Sequence, residues 1–284
     1  MIPGKLGIRF LEKVFKKTGI PTRCHSNPVI AEDLLLSLEC IHLHKSFGKK
    51  PVLTDIHFKV EPGEILYLIG PNGAGKTTLL KILATLSPPT RGRALVCGVD
   101  VAPHSMQPRR WTGYVPSEDR SFYWRLTGRQ NLVFFASLHG LGKKECQERI
   151  DLLLGEVGLE ESADRPFREY SSGMRQALGI ARALLHNPVI LLMDEPSRSL
   201  SPERAAKVRN LIKRKASGGK GIVLIASHDL REMEDLATGI AIIHKGALKA
   251  RGTLEQLKAG AGLPESASPE SVYQYYTHMS DQPR

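Results

Sequence analysis

A mainly parallel α/β sheet carrying an inserted helical lobe is the architecture predicted for this chain, on three observations. Apolar runs of strand length recur at Ile65–Ile69, Val189–Met193, Ile222–Ala226 and Ile240–Ile243, as in strands buried on both faces. Helical periodicities lie between those runs. The stretch from about Ser117 to His186 reads as helices alone, with no strand run to interrupt it.

The elements follow in order. From about Leu36 the pattern becomes globular, and Ile56, Phe58 and Val60 alternate as a half-exposed strand does. Ile65–Ile69 is continuously apolar and leads into a glycine-rich turn, Gly70 to Thr78. Leu79, Leu80, Ile82, Leu83 and Leu86 then fall at helical spacing, up to the stop at Pro88 and Pro89. Within the helical stretch Ile150, Leu153, Leu154 and Val157 stand at i, i+3, i+4 and i+7. Near the end, Ser268 and Pro269 begin a short helix with Val272, Tyr275, Tyr276 and Met279 on one face. The expected organisation is an extension over 1–35, one α/β domain over 36–260 with its helical part at about 117–186, and a tail over 261–284.

Composition bounds the function. At 284 residues, 41% hydrophobic and 24% charged, the chain can bury a substantial core, which excludes wholesale disorder and a disulfide mini-fold. Cys24, Cys40, Cys97 and Cys146 are widely spaced with no CxxC pair, so reduced thiols packed as small apolar residues are expected. No apolar run approaches the ~18 residues of a membrane-spanning helix; if the protein works at a membrane, another chain crosses it. The net charge of +11 points to anionic partners: nucleotide, nucleic acid or lipid. Part of it, a net +5, has a local source. Lys5, Arg9, Lys13, Lys16, Lys17 and Arg23 are opposed in the first thirty residues only by Glu12. On a helical wheel Leu6, Phe10, Leu11, Val14 and Phe15 gather on the opposite face. Such a helix can dock on its parent domain or a partner subunit, or lie on anionic lipid; a cleavable leader would need a longer apolar stretch.

Three segments carry chemistry. Gly70-Pro71-Asn72-Gly73-Ala74-Gly75-Lys76-Thr77-Thr78 fits G-x-x-x-x-G-K-[ST] between a buried strand and a helix. Its backbone N–H groups and the helix N-terminus favour phosphate, with Lys76 for the β and γ phosphates and the Thr77 hydroxyl for Mg²⁺. The run Val189–Met193 ends in Asp194 and Glu195, at the strand edge where parallel sheets bind ligands. Neighbouring strand residues point oppositely, so Asp194 can hold Mg²⁺ through its water shell while Glu195 polarises the water attacking the γ phosphate. In Tyr170-Ser171-Ser172-Gly173-Met174-Arg175-Gln176, Ser171 is an N-cap that opens a second helix suited to a phosphate.

With these segments the chain resembles the ATP-binding subunits of ABC transporters over about residues 37–260. The family signature Leu-Ser-Gly-Gly-Gln reads Tyr-Ser-Ser-Gly-Met here, so Ser171 and Gly173 match and three positions depart. The resemblance implies a RecA-like P-loop NTPase fold: a mainly parallel sheet, an antiparallel β region and an inserted helical signature subdomain. It implies that Phe47, in Lys45-Ser46-Phe47-Gly48, stacks on adenine, and that His228, 33 residues beyond Glu195, senses the γ phosphate. It implies ATP with Mg²⁺ as ligands, hydrolysis, and a head-to-tail pair of nucleotide-binding domains, homodimeric or heterodimeric. Each ATP is then held between one copy's phosphate loop and the other's Ser171 and Gly173. That pair works on a separate transmembrane permease at the cytoplasmic face of the membrane, driving export. The aromatic run Phe122-Tyr123-Trp124-Arg125 lies where family members receive the permease, or else packs the helical lobe internally.

Two loops depart from the family. Where Gln usually follows the Gly113-Tyr114-Val115-Pro116 strand, this chain has Ser117 and Glu118, and Glu118 supplies the stronger Mg²⁺ ligand. The usual Ser-Leu-Asp-Pro turn reads Ser199-Leu200-Ser201-Pro202. Both changes spare Lys76, Thr77, Asp194, Glu195 and His228, so hydrolysis with altered communication between sites is expected. Alternatives are an ABC ATPase acting on nucleic acid or ribosomes, favoured by the +11 charge, and a weakly catalytic partner in a heterodimer. Against nucleic acid, only 97 positions separate Lys76 from Gly173, too few for a long coiled-coil insertion. The doublets Lys49-Lys50, Arg109-Arg110 and Lys143-Lys144 are dispersed, without interleaved aromatics.

Overall fold

A computed structural model of the chain describes residues 36–101, 105–118, 121–219 and 221–278. The basic extension over 1–35, Cys24 and Met279 lie outside them. The described residues fall into two compact units: one built of 36–117, 188–196 and 209–278, the other of 118–187 and 197–208.

The first unit holds both sheets. Leu38–Phe47 (β1), Lys50–Val60 (β2), Arg91–Val96 (β4) and Val99–Asp100 (β5) form an antiparallel sheet in the order β2-β1-β4-β5. Burial along β2 takes in Ile56, Phe58 and Val60 and leaves out Asp55, His57 and Lys59, as a one-sided sheet requires. The second sheet runs β10-β9-β3-β8-β7-β6, made of Ile65–Ile69 (β3), Thr112–Val115 (β6), Ile190–Asp194 (β7), Ile222–Ser227 (β8), Gly239–His244 (β9) and Ala247–Gly252 (β10). Every pairing in it is parallel except the β9–β10 hairpin at one edge. All residues of β3, β7 and β8 are buried, the expected consequence of their uninterrupted apolar runs.

Lys76–Leu83 (α1) lies in the core between the sheets. Its Leu79, Leu80, Ile82 and Leu83 share one apolar cluster with Leu38, Leu43, Ile56, Leu66, Leu68 and Leu224. The helix ends at Leu83, short of the sequence expectation: Thr85 turns into the left-handed region at φ 61°, and Leu86 is exposed. The short helix Gln107–Trp111 (α2) leads into β6.

The second unit is helical, with Gly128–Leu138 (α3), Lys143–Glu156 (α4) and Ser172–Ala183 (α5), and two 3₁₀ turns, Glu160–Ser162 and Phe167–Glu169, connect α4 to α5. Helix α3 starts on a capping box: the Thr127 hydroxyl accepts from Gln130 N, and the Gln130 side chain accepts from Thr127 N. Ile150, Leu153 and Leu154 are buried on α4 as their spacing requires, and Val157 is buried just past its end. Pro202–Ala216 (α6) begins in this unit and ends in the first. Back in the first unit, Leu230–Leu236 (α7) packs against β3, followed by Leu254–Gly260 (α8) and Pro269–His278 (α9). The last begins at Pro269, where the sequence places it, with Val272 buried. Cys40, Cys97 and Cys146 are buried free thiols, and burial pushes all three above the ordinary thiol range.

One polar side chain fixes the entry to the helical unit. Asn131 is fully buried, accepts from Tyr123 N at 2.8 Å, and donates to the carbonyls of Tyr123 at 3.1 Å and Thr127 at 3.0 Å. Asn131→Ala strands these backbone groups in a buried site, so a loss of about 2–4 kcal/mol in unfolding free energy is expected. A lower urea midpoint at unchanged m-value checks it.

Candidate functional site

The register of the large sheet assembles one edge. Strand β8 pairs with β3 at Ile69↔Ser227 and with β7 at Asp194↔Ala226, so three adjacent parallel strands end together. The glycine turn leaves β3 at that edge, Asp194 and Glu195 stand at the end of β7, and Ser227 and His228 at the end of β8.

Gly75 caps α1 at φ 104°, and a Cβ there would lie 2.5 Å from Leu53 Cδ2, so this position needs glycine on both counts. The first turn of α1 has no side-chain cap and no acidic residue, which suits its N–H groups to an external anion. Lys76 is buried, and its Nζ donates to the carbonyls of Gly70 at 2.5 Å and Pro71 at 3.2 Å. Burial lowers its pKa, while the charges of Glu195 and Asp194 act the other way.

Thr77 Oγ1 donates to Asp194 Oδ2 at 2.8 Å across the strand that separates them. Asp194 is buried, and that burial raises its carboxyl above the usual range. The nearby Glu195 charge adds to the rise; hydrogen bonds from Thr77 and Ser117 and the Lys76 charge oppose it. Glu195 sits at φ 52°, a left-handed conformation for a residue with a side chain, and its N–H donates to Ala226 O at 2.8 Å. Its Oε1 lies 2.8 Å from His228 Nδ1, and its Oε2 accepts from Ser227 Oγ at 3.4 Å. Ser227 Oγ accepts in turn from Asp229 N at 3.0 Å, and Asp229 caps α7.

The structure therefore brings Lys76, Thr77, Asp194, Glu195 and His228 together. Phe47 stands on the antiparallel sheet of the same unit, 57% exposed, with Lys45 Nζ 4.9 Å from its ring centroid and anchored on Pro88 O at 2.7 Å. Ser171, Gly173 and Glu118 belong to the helical unit. Ser171 caps α5, accepting from Met174 N at 3.2 Å, and a Cβ on Gly173 would lie 2.3 Å from Ser199 O. Sequence reasoning left Ser117 and Glu118 as alternatives, and it is Ser117 whose side chain hydrogen-bonds Asp194. It missed Ser227, whose only sequence signal is its place before His228.

The donor set fits Mg²⁺. A hydroxyl and a carboxylate are hard oxygen ligands, and Mg²⁺ takes one or two such groups together with water and phosphate oxygens. Among the described residues no cluster of three His, Cys, Asp or Glu side chains forms a metal cage of its own. None of the described helices is long and apolar enough to cross a membrane.

Residues 53–198 match the family model described as ABC transporter. An uncharacterized ABC transporter ATP-binding protein, YdbJ of Bacillus subtilis (strain 168), is 40% identical over 213 residues, 75% of this chain and 68% of that one. The Nod factor export ATP-binding protein I of Paraburkholderia xenovorans (strain LB400) is 34% identical, covering 83% of this chain and 78% of that one. A solved ATP-binding subunit of an ABC transporter superposes with a TM-score of 0.78 at 32% identity, over 84% of this chain and 98% of that one. The fold, the site geometry and these likenesses agree: the chain belongs to the ABC transporter family, as one of its ATP-binding, ATP-hydrolysing subunits.

Proposed function

We propose that this chain is the Mg²⁺-dependent ATPase of an export system, seated on a separate transmembrane permease at the cytoplasmic face of the membrane. One observation carries the reading: beside the phosphate loop, two hydrogen-bonded pairs stand at one sheet edge, Thr77 with Asp194 and Glu195 with His228, each at 2.8 Å. The similarity to a Nod factor export subunit supports the direction of transport. The nucleotide-binding domain spans 36–260, with 261–284 as a tail; the basic 1–35 segment serves to dock on the parent domain or a partner subunit, or to contact anionic lipid.

Each residue has a task in this reading. Gly70 to Thr78 wraps the phosphates with backbone N–H groups, and Lys76 leaves its loop carbonyls for the β and γ phosphates. Phe47 offers one ring face to adenine. Thr77 and Asp194 would provide oxygen ligands for Mg²⁺, which when bound would neutralise phosphate charge. Glu195 orients the attacking water and takes its proton, and His228 is held by Glu195 Oε1 to meet the γ phosphate. Ser171 and Gly173 serve the ATP of a second nucleotide-binding domain, so two copies, or this chain and a relative, complete two sites.

Glu195→Gln keeps the shape and removes the base. It is expected to bind ATP with little change while turnover falls about 10²- to 10⁴-fold. A steady-state assay of the permease complex checks it, and Mg²⁺-dependent turnover no higher than this variant's would refute the reading.

Asp194 yields a second prediction. Because burial raises its pKa, the ionised form opposes folding; that unfavourable contribution is absent below the ordinary carboxylate value and complete once pH exceeds the raised one. Without Mg²⁺, Asp194→Asn is expected to melt above wild type at neutral pH, with the difference vanishing in acid. With Mg²⁺ and ATP, it is expected to lose most of the ligand-dependent rise in melting temperature. Thermal scans across pH, with and without Mg²⁺-ATP, read both outcomes.

A further inference from the structure

The helical unit exposes two large aromatic side chains in succession, Tyr123 at 49% and Trp124 at 56%. Neither sits on a loose loop. Asn131 holds Tyr123 by its own N–H and carbonyl, Arg168 N donates to Trp124 O at 3.2 Å, and Leu126 N donates to Tyr123 O at 3.2 Å.

Two arginines of α5 clasp the same segment. Arg175 and Arg182 are seven residues apart, which puts them two turns apart on one face of the helix. The Arg175 guanidinium lies 4.7 Å from the Trp124 ring centroid and 5.4 Å from that of Phe167. Arg182 lies 5.3 Å from Phe122 and 5.1 Å from Phe135, and it hydrogen-bonds Ser121 Oγ. Arg175 Nε is buried without a hydrogen-bond partner, so aromatic faces hold this guanidinium where an acceptor usually would. Its backbone N–H donates to Ser171 O at 2.9 Å, closing the first turn of α5. From the exposed Trp124 ring to Ser171 there is thus one side chain and one hydrogen bond.

We propose that Arg175 is a positioning residue that makes the N-terminus of α5 follow the Tyr123–Trp124 pair. A permease surface seated on that pair orients Ser171 and Gly173 through the guanidinium, and by reciprocity nucleotide held at Ser171 and Gly173 shifts Trp124. This rests on the reading of the chain as a permease-driven ATPase. The rigidity of the clasp is what makes it a lever: Asn131 fixes one side of the segment and Arg182 anchors its start, leaving Arg175 as the contact that reaches the first turn.

The test uses the full chain assembled with its permease in lipid at saturating ATP, with the isolated chain as basal reference. Arg175→Met and Trp124→Leu are each expected to lower permease-stimulated kcat about 3- to 10-fold, in the range of a partly desolvated cation–π contact. Basal turnover should stay within about 2-fold, and Arg175→Lys should recover part of the loss. The double variant is expected to be no slower than the worse single, because both remove one contact. The proposal is overturned if Arg175→Met keeps wild-type stimulated kcat, or if the two losses multiply. It is equally overturned if basal and stimulated turnover fall together, which marks a general defect of the helical unit. A wild-type chain that no permease stimulates overturns the functional reading itself, a result separable from the others.

Discussion

Everything at the site depends on the parallel register of β3, β8 and β7. With Ile69 opposite Ser227 and Ala226 opposite Asp194, the phosphate loop, the acidic pair and His228 emerge at one level of one edge. A slip of a single residue would turn each strand's side chains to the opposite face. It would also move Asp194 away from Thr77 by a strand's rise, about 3.3 Å, more than a 2.8 Å hydrogen bond tolerates. What holds the register is the apolar content of these strands, fully buried on both faces. The chemistry is positioned by residues that take no part in it.

Much of this was legible in the chain because it is local. A run of apolar residues, a glycine turn with Gly75 where no Cβ fits, and an acidic pair closing a strand each declare themselves over fewer than ten residues. The end of α1 was less legible. Leu86 keeps helical spacing, but Thr85 at φ 61° breaks the helix first, and nothing in the spacing of Leu79 to Leu86 announces that turn. Contacts between distant segments were not legible at all. Ser117 to Asp194, Ser227 to Glu195, and Arg175 to Trp124 each join residues whose proximity is set by the sheet or by helix packing. Tyr170, a departure from the family signature, is explained only by its surroundings: it is buried, its hydroxyl donates to Ser162 O at 2.7 Å, and burial pushes its pKa up to about 12.

The segment after β7 shows how the departure at Ser201 is accommodated. Ser201 precedes Pro202, the first residue of α6; its Oγ accepts from Arg204 N at 3.5 Å and its carbonyl accepts from Ala205 N at 2.8 Å. Serine and aspartate are comparable N-caps, and proline is favoured at the first helical position. The helix start is therefore kept while a negative charge is given up. The departure from the family pattern thus leaves how α6 begins unaltered.

The same segment stores backbone strain at two points. Glu195 at φ 52° and Ser199 at φ 68° are non-glycine residues in the left-handed region, a conformation that costs each about 1 kcal/mol or more. Both are over-determined by their neighbours. Glu195 is pinned through its N–H to Ala226 and its carboxylate to Ser227 and His228; Ser199 is pinned where its carbonyl meets the backbone of Gly173. Glycine at either position would relieve the strain, yet at 195 it would remove the carboxylate. The strain at Glu195 thus belongs with the contacts that aim its carboxylate at Ser227 and His228, and the strain at Ser199 with the close approach of its carbonyl to Gly173 inside the helical unit.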